Sequence, residues 1–274
     1  MYQEYFGLKE TPFNITPDPR FIFFSRKHLD AFSCLLYGIE SRKGFIQITG
    51  EIGAGKTTLC RAVLDKLKDA RTHTALILNP RLSELHLLRT IAEDFGIVLK
   101  ANNKKECFDG LNRFLLEEFH KGFNTVLIID EAQDLTPKTL EQIRLLSNLE
   151  TNREKLLQII LVGQPELRET LDHPSLAQLR QRIVVRFHLT ALDRSETEEY
   201  ILHRLRVAGL PEGLNHPFSP QAIDFIYEWS QGIPRLINKL CDRSLLAAYA
   251  RDLRCIDEKL TEEVLNESEG VPVS

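Results

Sequence analysis

Residues 44–57 read Gly44-Phe45-Ile46-Gln47-Ile48-Thr49-Gly50-Glu51-Ile52-Gly53-Ala54-Gly55-Lys56-Thr57, an apolar β-prone run that passes into a G-x-x-x-x-G-K-T loop. Immediately behind it, Leu59-Cys60-Arg61-Ala62-Val63-Leu64 carries a helical pattern. Strand, glycine-rich turn and helix N-terminus are the parts a polyphosphate site needs. The glycines let backbone N–H groups curl around phosphate oxygens with no Cβ in the way. Nucleotide contacts are therefore expected from Gly50, Glu51, Ile52, Gly53, Ala54, Gly55, Lys56, Thr57 and Thr58. Lys56 would reach the β- and γ-phosphates, and the Thr57 hydroxyl would hold Mg²⁺. Nothing in the loop distinguishes one base from another.

Outward from this loop, five short apolar runs alternate with helical stretches. The runs are 44–49, 74–78, 125–129, 158–162 and 183–187. Their near-continuous hydrophobicity is that of strands buried on both faces of a parallel sheet. Helical periodicity occupies 27–42, 56–70, 82–95, 107–121 and 136–149. This alternation predicts a doubly wound α/β domain with a five-stranded parallel sheet flanked by helices. After residue 190 strand signals stop, and 193–208, 219–230, 233–251 and 260–267 read as helices. Asp193 and Glu196 have capping-box spacing at the start of the first. The expected domains are thus 1–190, with an ordered, extended, aromatic-rich arm over residues 1–25, then a helical lid over 191–267 and a frayed tail over 268–274.

Composition narrows the function classes. The chain has 274 residues, 43% hydrophobic and 27% charged, which suits a soluble globular protein. A net charge of −4 gives no global attraction to nucleic acid. Five widely spaced cysteines show neither metal-ligand nor redox spacing, so buried free thiols in a reducing compartment are expected. There is no signal-peptide pattern and no run long enough to span a bilayer, which points to the cytoplasm without direct membrane insertion.

A phosphate loop alone says only that phosphate binds. The second signal is Val126-Leu127-Ile128-Ile129-Asp130-Glu131, an apolar strand that delivers two carboxylates at its end. In a parallel sheet that end opens on the ligand crevice. Asp130 would serve the Mg²⁺, and Glu131 would orient and polarise an attacking water. The pair argues for hydrolysis.

Taken together, the loop, Asp130-Glu131, a fourth strand ending in a polar residue, an arginine pair and Gly232-Ile233-Pro234-Arg235 resemble an AAA+ ATPase. More narrowly, Tyr5-Phe6-Gly7-Leu8-Lys9-Glu10-Thr11-Pro12-Phe13 and Pro17-Asp18-Pro19-Arg20-Phe21 resemble the ExeA, or general secretion pathway A, family. Asp130-Glu131-Ala132-Gln133-Asp134-Leu135 and Leu161-Val162-Gly163-Gln164-Pro165-Glu166-Leu167 extend the match over most of residues 1–262. The resemblance implies ATP as the nucleotide, with Mg²⁺. It implies a sensor-1 role for Gln164, a sensor-2 role for Arg235, and a hydrogen bond from Asn79 to Glu131. It also implies an arginine finger, Arg180 or Arg182, presented to a neighbouring subunit of a ring or filament. The adenine would lie by the arm, near residues 13–19.

That family serves type II secretion, pilus biogenesis and exopolysaccharide systems. Its larger members continue into a transmembrane segment and a peptidoglycan-binding region. The chain ending at Ser274 is similar to the shorter, soluble members, whose anchor a membrane partner would supply. The rival implied by resemblance is an ATP-switched DNA-binding regulator like the transposition ATPases. A scaffold that binds ATP without turnover is a third reading, opposed by the intact Asp130 and Glu131.

Overall fold

The structure is a computed structural model that describes residues 1–269 except 17, 69, 101, 102, 152, 153, 212, 214 and 215. Two compact units share the chain. One comprises Met1–Arg26, Glu51–Thr58 and the chain from Thr190 onward; the other comprises Lys27–Gly50 and Leu59–Leu189.

The α/β unit is built on β1 (Phe45–Gly50), β2 (Thr72–Ile77), β3 (Asn124–Ile129), β4 (Gln158–Gly163) and β5 (Ile183–Leu189). They form the predicted five-stranded parallel sheet, and its order is β2-β3-β4-β1-β5. Ile46 of β1 pairs with Ile160 of β4, and Ile128 of β3 pairs with the same Ile160. Every residue of β1 and β4 is buried, because strands covered on both faces have no solvent side. On the edge strand β5 the pattern becomes alternating, with Val184, Arg186 and His188 exposed.

Helices in chain order are α1 (Tyr2–Tyr5), α2 (Arg26–Glu40), α3 (Lys56–Leu67), α4 (Glu84–Asp94), α5 (Lys104–His120), α6 (Pro137–Leu146), α7 (Glu166–Asp172) and α8 (Ala177–Arg182), followed by α9 (Arg194–Val207), α10 (Pro220–Ser230), α11 (Pro234–Ala250) and α12 (Glu258–Glu269). Alternate strand residues Leu127, Ile129, Ile159 and Leu161 pack with Leu88 and Ile91 of α4, Leu111 of α5 and Ile143 of α6. Period-2 alternation sends Ile46, Ile48, Val126, Ile128 and Val162 to the opposite face, where they too are fully buried. Starts are chemically marked: Ser83, Asn103 and Thr136 cap α4, α5 and α6 through their side chains.

The other unit has its own core, drawn from α9 to α12 and from the N-terminal arm. Asp193 and Glu196 form the reciprocal capping box at α9. The arm differs from expectation twice. It clusters with this helical unit, and it is only partly extended: Tyr2–Tyr5 is a helical turn and Pro19–Phe21 a 3₁₀ turn. Burial explains both departures. Tyr2 is buried with its hydroxyl bonded to Asp242, and Phe13 lies edge-on to Phe218. Arg204 of α9, itself buried, donates to the carbonyls of Pro12 (2.6 Å) and Asn14 (3.1 Å), and its guanidinium lies over Phe21. Those bonds satisfy arm carbonyls that no sheet or helix reaches.

Of the five cysteines, Cys60, Cys107 and Cys241 are buried as expected, Cys34 is half-buried, and Cys255 is exposed. Among the described residues no helix is long and apolar enough to cross a membrane. Residues 270–274 of the expected tail lie outside the described residues, and α12 continues to Glu269.

Candidate active site

Two groups of functional side chains are assembled, one in each unit. The first is the phosphate loop. β1 ends at Gly50, and the chain turns at Glu51, where the carbonyl accepts from Ala54 N–H at 3.2 Å. Gly53 and Gly55 hold φ of +83° and +96°, conformations that cost a side-chain-bearing residue about 1–2 kcal/mol. α3 then begins at Lys56. Its first N–H groups have no partner earlier in the helix, and the helix dipole places partial positive charge there. Lys56 is buried, and its ammonium donates to the Glu51 carbonyl at 2.9 Å, so the cation is folded back over its own loop.

The sensor-2 candidate meets this loop directly. Arg235 N–H, at the start of α11, donates to the Gly53 carbonyl at 3.3 Å. A Cβ on Gly53 would stand 2.6 Å from the Arg235 Cβ, so the loop glycine also admits α11. Gly232 is fixed by the same segment. A Cβ there would lie 1.8 Å from the Leu192 carbonyl oxygen, and Gly232 O accepts from Leu192 N–H. The Gly-x-Pro-Arg sequence is thus a strut in which Gly232 allows close backbone approach and Pro234 opens the helix.

The second group lies at the carboxyl edge of β3 and β4. Asp130 is buried; its N–H donates to the Ile77 carbonyl and its carboxylate accepts from Glu131 N–H at 2.9 Å. Glu131 takes a left-handed φ of +51°, which is uncommon for a residue with a side chain. Its half-buried carboxylate accepts from Gln133 Nε2 at 2.7 Å and from Gln164 Nε2 at 3.4 Å, through the same oxygen, Oε2. Gln133 Oε1 in turn accepts from the Gln164 backbone N–H at 3.0 Å. Gln164 directly follows β4, so the chain's two consecutive strand ends are joined by three side chains.

Several expected residues sit elsewhere. Asn79 is exposed, and its side-chain oxygen accepts from Arg81 N–H; the hydrogen bonds found on Glu131 come from the two glutamines. Gly50 is constrained by packing, since a Cβ would lie 2.6 Å from the Leu189 carbonyl oxygen of β5. Phe13 is committed to the core of the helical unit, and Pro17 lies outside the described residues. Arg182 donates to the Ser147 hydroxyl at 2.7 Å, whereas Arg180 is exposed and its guanidinium forms a 3.5 Å ion pair with the exposed Asp172. Sequence reasoning gave Gln133 no role. Its only signal was a polar residue two places after Glu131, ahead of Asp134.

Among the described residues no group of three or more His, Cys, Asp or Glu side chains could hold a metal. Thr57 belongs to one unit and Asp130 to the other, and each offers an oxygen of the kind that Mg²⁺ takes.

Residues 39–171 match the AAA domain family. The chain is 45% identical over 252 residues to general secretion pathway protein A of Aeromonas hydrophila, a match that covers 92% of this chain and 45% of that protein. The chain therefore spans about half the length of that relative. Among solved structures it is similar to the Aeropyrum pernix ORC2 protein in its ADPNP–ADP complexes, with 18% identity, 94% of this chain and 72% of that one covered, and a TM-score of 0.68. It is also similar to the Thermotoga maritima RuvB Holliday junction branch migration motor, with 17% identity, 89% and 70% covered, and a TM-score of 0.59. These two likenesses concern the fold. Residues 39–171 are thus similar to the AAA domain family, and over most of its length the chain is similar to general secretion pathway protein A.

Proposed function

We propose that the chain hydrolyses ATP with Mg²⁺ at an interface between its own copies, and that turnover drives assembly of a secretion, pilus or exopolysaccharide apparatus at the cell envelope. The observation that carries the chemistry is Glu131, a carboxylate on a strained turn, held by amide donors rather than by a cation. A carboxylate held this way remains an acceptor and can take up and orient a water proton. Thr57 and Asp130 would hold the Mg²⁺, which neutralises charge on the β- and γ-phosphate oxygens when bound. Lys56 and the N–H groups of Gly53 to Thr57 bind the phosphates. Gln164 directs the water, and Arg235 ties the γ-phosphate to α11. Replacing Glu131 by Gln is the direct test. That variant should bind ATP as wild type and lose about 10²-fold or more in turnover; undiminished turnover would remove Glu131 from the mechanism.

For the finger in trans, the contrast between the two arginines favours Arg180. An exposed ion pair such as Arg180–Asp172 is worth about 0–1 kcal/mol and is easily exchanged for a phosphate, while Arg182 is occupied within its own unit. ATP hydrolysis per subunit should climb with protein concentration, and Arg180→Ala should flatten that climb. A specific activity independent of concentration would argue against completion of the site by a second copy. The envelope client rests on the relationship to general secretion pathway protein A alone. Placement in the cytoplasm, bound to a membrane-anchored partner, belongs to the same reading.

A second reading, ATP-switched binding to DNA, draws on α11. Arg235, Lys239 and Arg243 recur there every four residues on one helical face, and no ion pair is found for them among the described residues. Affinity for a DNA duplex measured across salt concentrations, with and without ATP, separates the two. A steep salt slope that appears with ATP would support the regulator.

A further inference from the structure

The 3₁₀ turn Ala132–Asp134 after β3 holds its middle residue in an unusual place. Ala132 is fully buried, and Asp134 is gripped by both ends of the Arg81 guanidinium, at 2.9 and 3.0 Å. With both neighbours fixed, the Gln133 carboxamide is directed between the ends of β3 and β4. Gly163, the last residue of β4, leaves room for it, since a Cβ there would lie 2.8 Å from Gln133 Oε1.

The two partners of that carboxamide dictate its chemistry. Glu131 Oε2 can only accept, and the Gln164 backbone N–H can only donate. The group between them must therefore give a proton to one side and take one from the other. A carboxylate could accept from Gln164 but not donate to Glu131. An ammonium could donate to Glu131 but not accept from Gln164. A methionine could do neither strongly. A carboxamide of glutamine length does both, and its orientation is fixed by the same requirement.

We propose that Gln133 is a positioning residue for hydrolysis, coupling Gln164 to Glu131 so that a displacement of Gln164 is passed to the carboxylate that handles the water. The proposal rests on the assignment of Glu131 given above. Gln164 is bound to this unit twice, through its backbone N–H on Gln133 and through its side chain on the oxygen that Gln133 also holds. When the Gln164 side chain engages a γ-phosphate, its own 3.4 Å bond to Glu131 is surrendered. Gln133 then alone determines where that carboxylate points.

The test is steady-state ATP hydrolysis by the full chain with Mg²⁺, alongside equilibrium binding of ATP. Gln133→Glu keeps size and the bond from Gln164 but replaces the donor to Glu131 by a like charge. Gln133→Met removes both bonds without adding charge, and serves if the acidic variant fails to fold. Each should lower kcat by about 10- to 100-fold, within the range of a misplaced general base, while ATP affinity changes less than about threefold. In a Glu131→Gln background, either change should cost no more than about twofold further, because residues that act as a unit do not add. Wild-type kcat in both Gln133 variants would overturn the proposal while leaving Glu131 in place. So would a full multiplicative loss in the Glu131→Gln background, since that is the signature of general structural damage. If Glu131→Gln itself turned over like wild type, both the proposal and the reading beneath it would fall.

Discussion

The phosphate loop and the Glu131 turn each require left-handed backbone, and they obtain it by opposite means. In the loop, glycine supplies it at Gly53 and Gly55, where the proposed phosphate contacts come from the backbone and no side chain is wanted. At Glu131 a side chain is indispensable, so the conformation is kept at a cost and stabilised by neighbours: the buried Ala132, the Arg81 grip on Asp134 and the two amide donors. In the proposed mechanism, the difference is that between a loop that binds through its main chain and a residue that acts through its side chain.

Five substitutions press on this contrast. Lys56→Ala should weaken ATP binding by about 10- to 100-fold, the worth of a charge-assisted bond to phosphate, as read by calorimetric titration. Glu131→Gln should leave the same titration unchanged, and equal losses in the two would erase the distinction between binding loop and reacting turn. Next in size is Gly53→Ala, which forces a Cβ to 2.6 Å from the Arg235 Cβ at a φ of +83°. A loss of about 2–3 kcal/mol in a urea midpoint series is expected. Glu131→Gly should move stability the other way, with a gain of about 1 kcal/mol as the strain is relieved and activity is lost. A drop instead would mean that the hydrogen bonds on the carboxylate outweigh the backbone cost. Smallest is Arg81→Gln, which removes an exposed grip on Asp134 and should leave the urea midpoint nearly unchanged, the small difference shrinking at high salt.

What the sequence made legible follows the same division. The five strands and the long helices could be read to within a few residues because their apolar periodicity is local and uninterrupted. The loop was legible because its glycines are called for by the turn itself. The short helices α7 and α8 were not, since Glu166–Asp172 and Ala177–Arg182 are too short and too charged to show a face. Gln133 escaped for a different reason: one of its two partners lies 31 residues away on the next strand, and nothing local marks the pairing. Arg204 is the same case at longer range, 192 residues from the Pro12 carbonyl it satisfies. The expected Asn79–Glu131 bond came from resemblance, and here the bonds on that carboxylate come from a turn of its own strand and from β4.

The unit that binds the arm is assembled from three stretches far apart in the chain, and this has a consequence during synthesis. Tyr2 and its partner Asp242 are separated by 240 residues. At roughly 5–20 residues per second, the arm waits on the order of ten to fifty seconds on the ribosome before α11 exists. Through that interval Phe13, Phe21 and Tyr2 have no core to enter, while the strands of the α/β unit emerge complete before residue 190. The nascent chain should therefore acquire its parallel sheet before Tyr2, Phe13 and Phe21 enter their core.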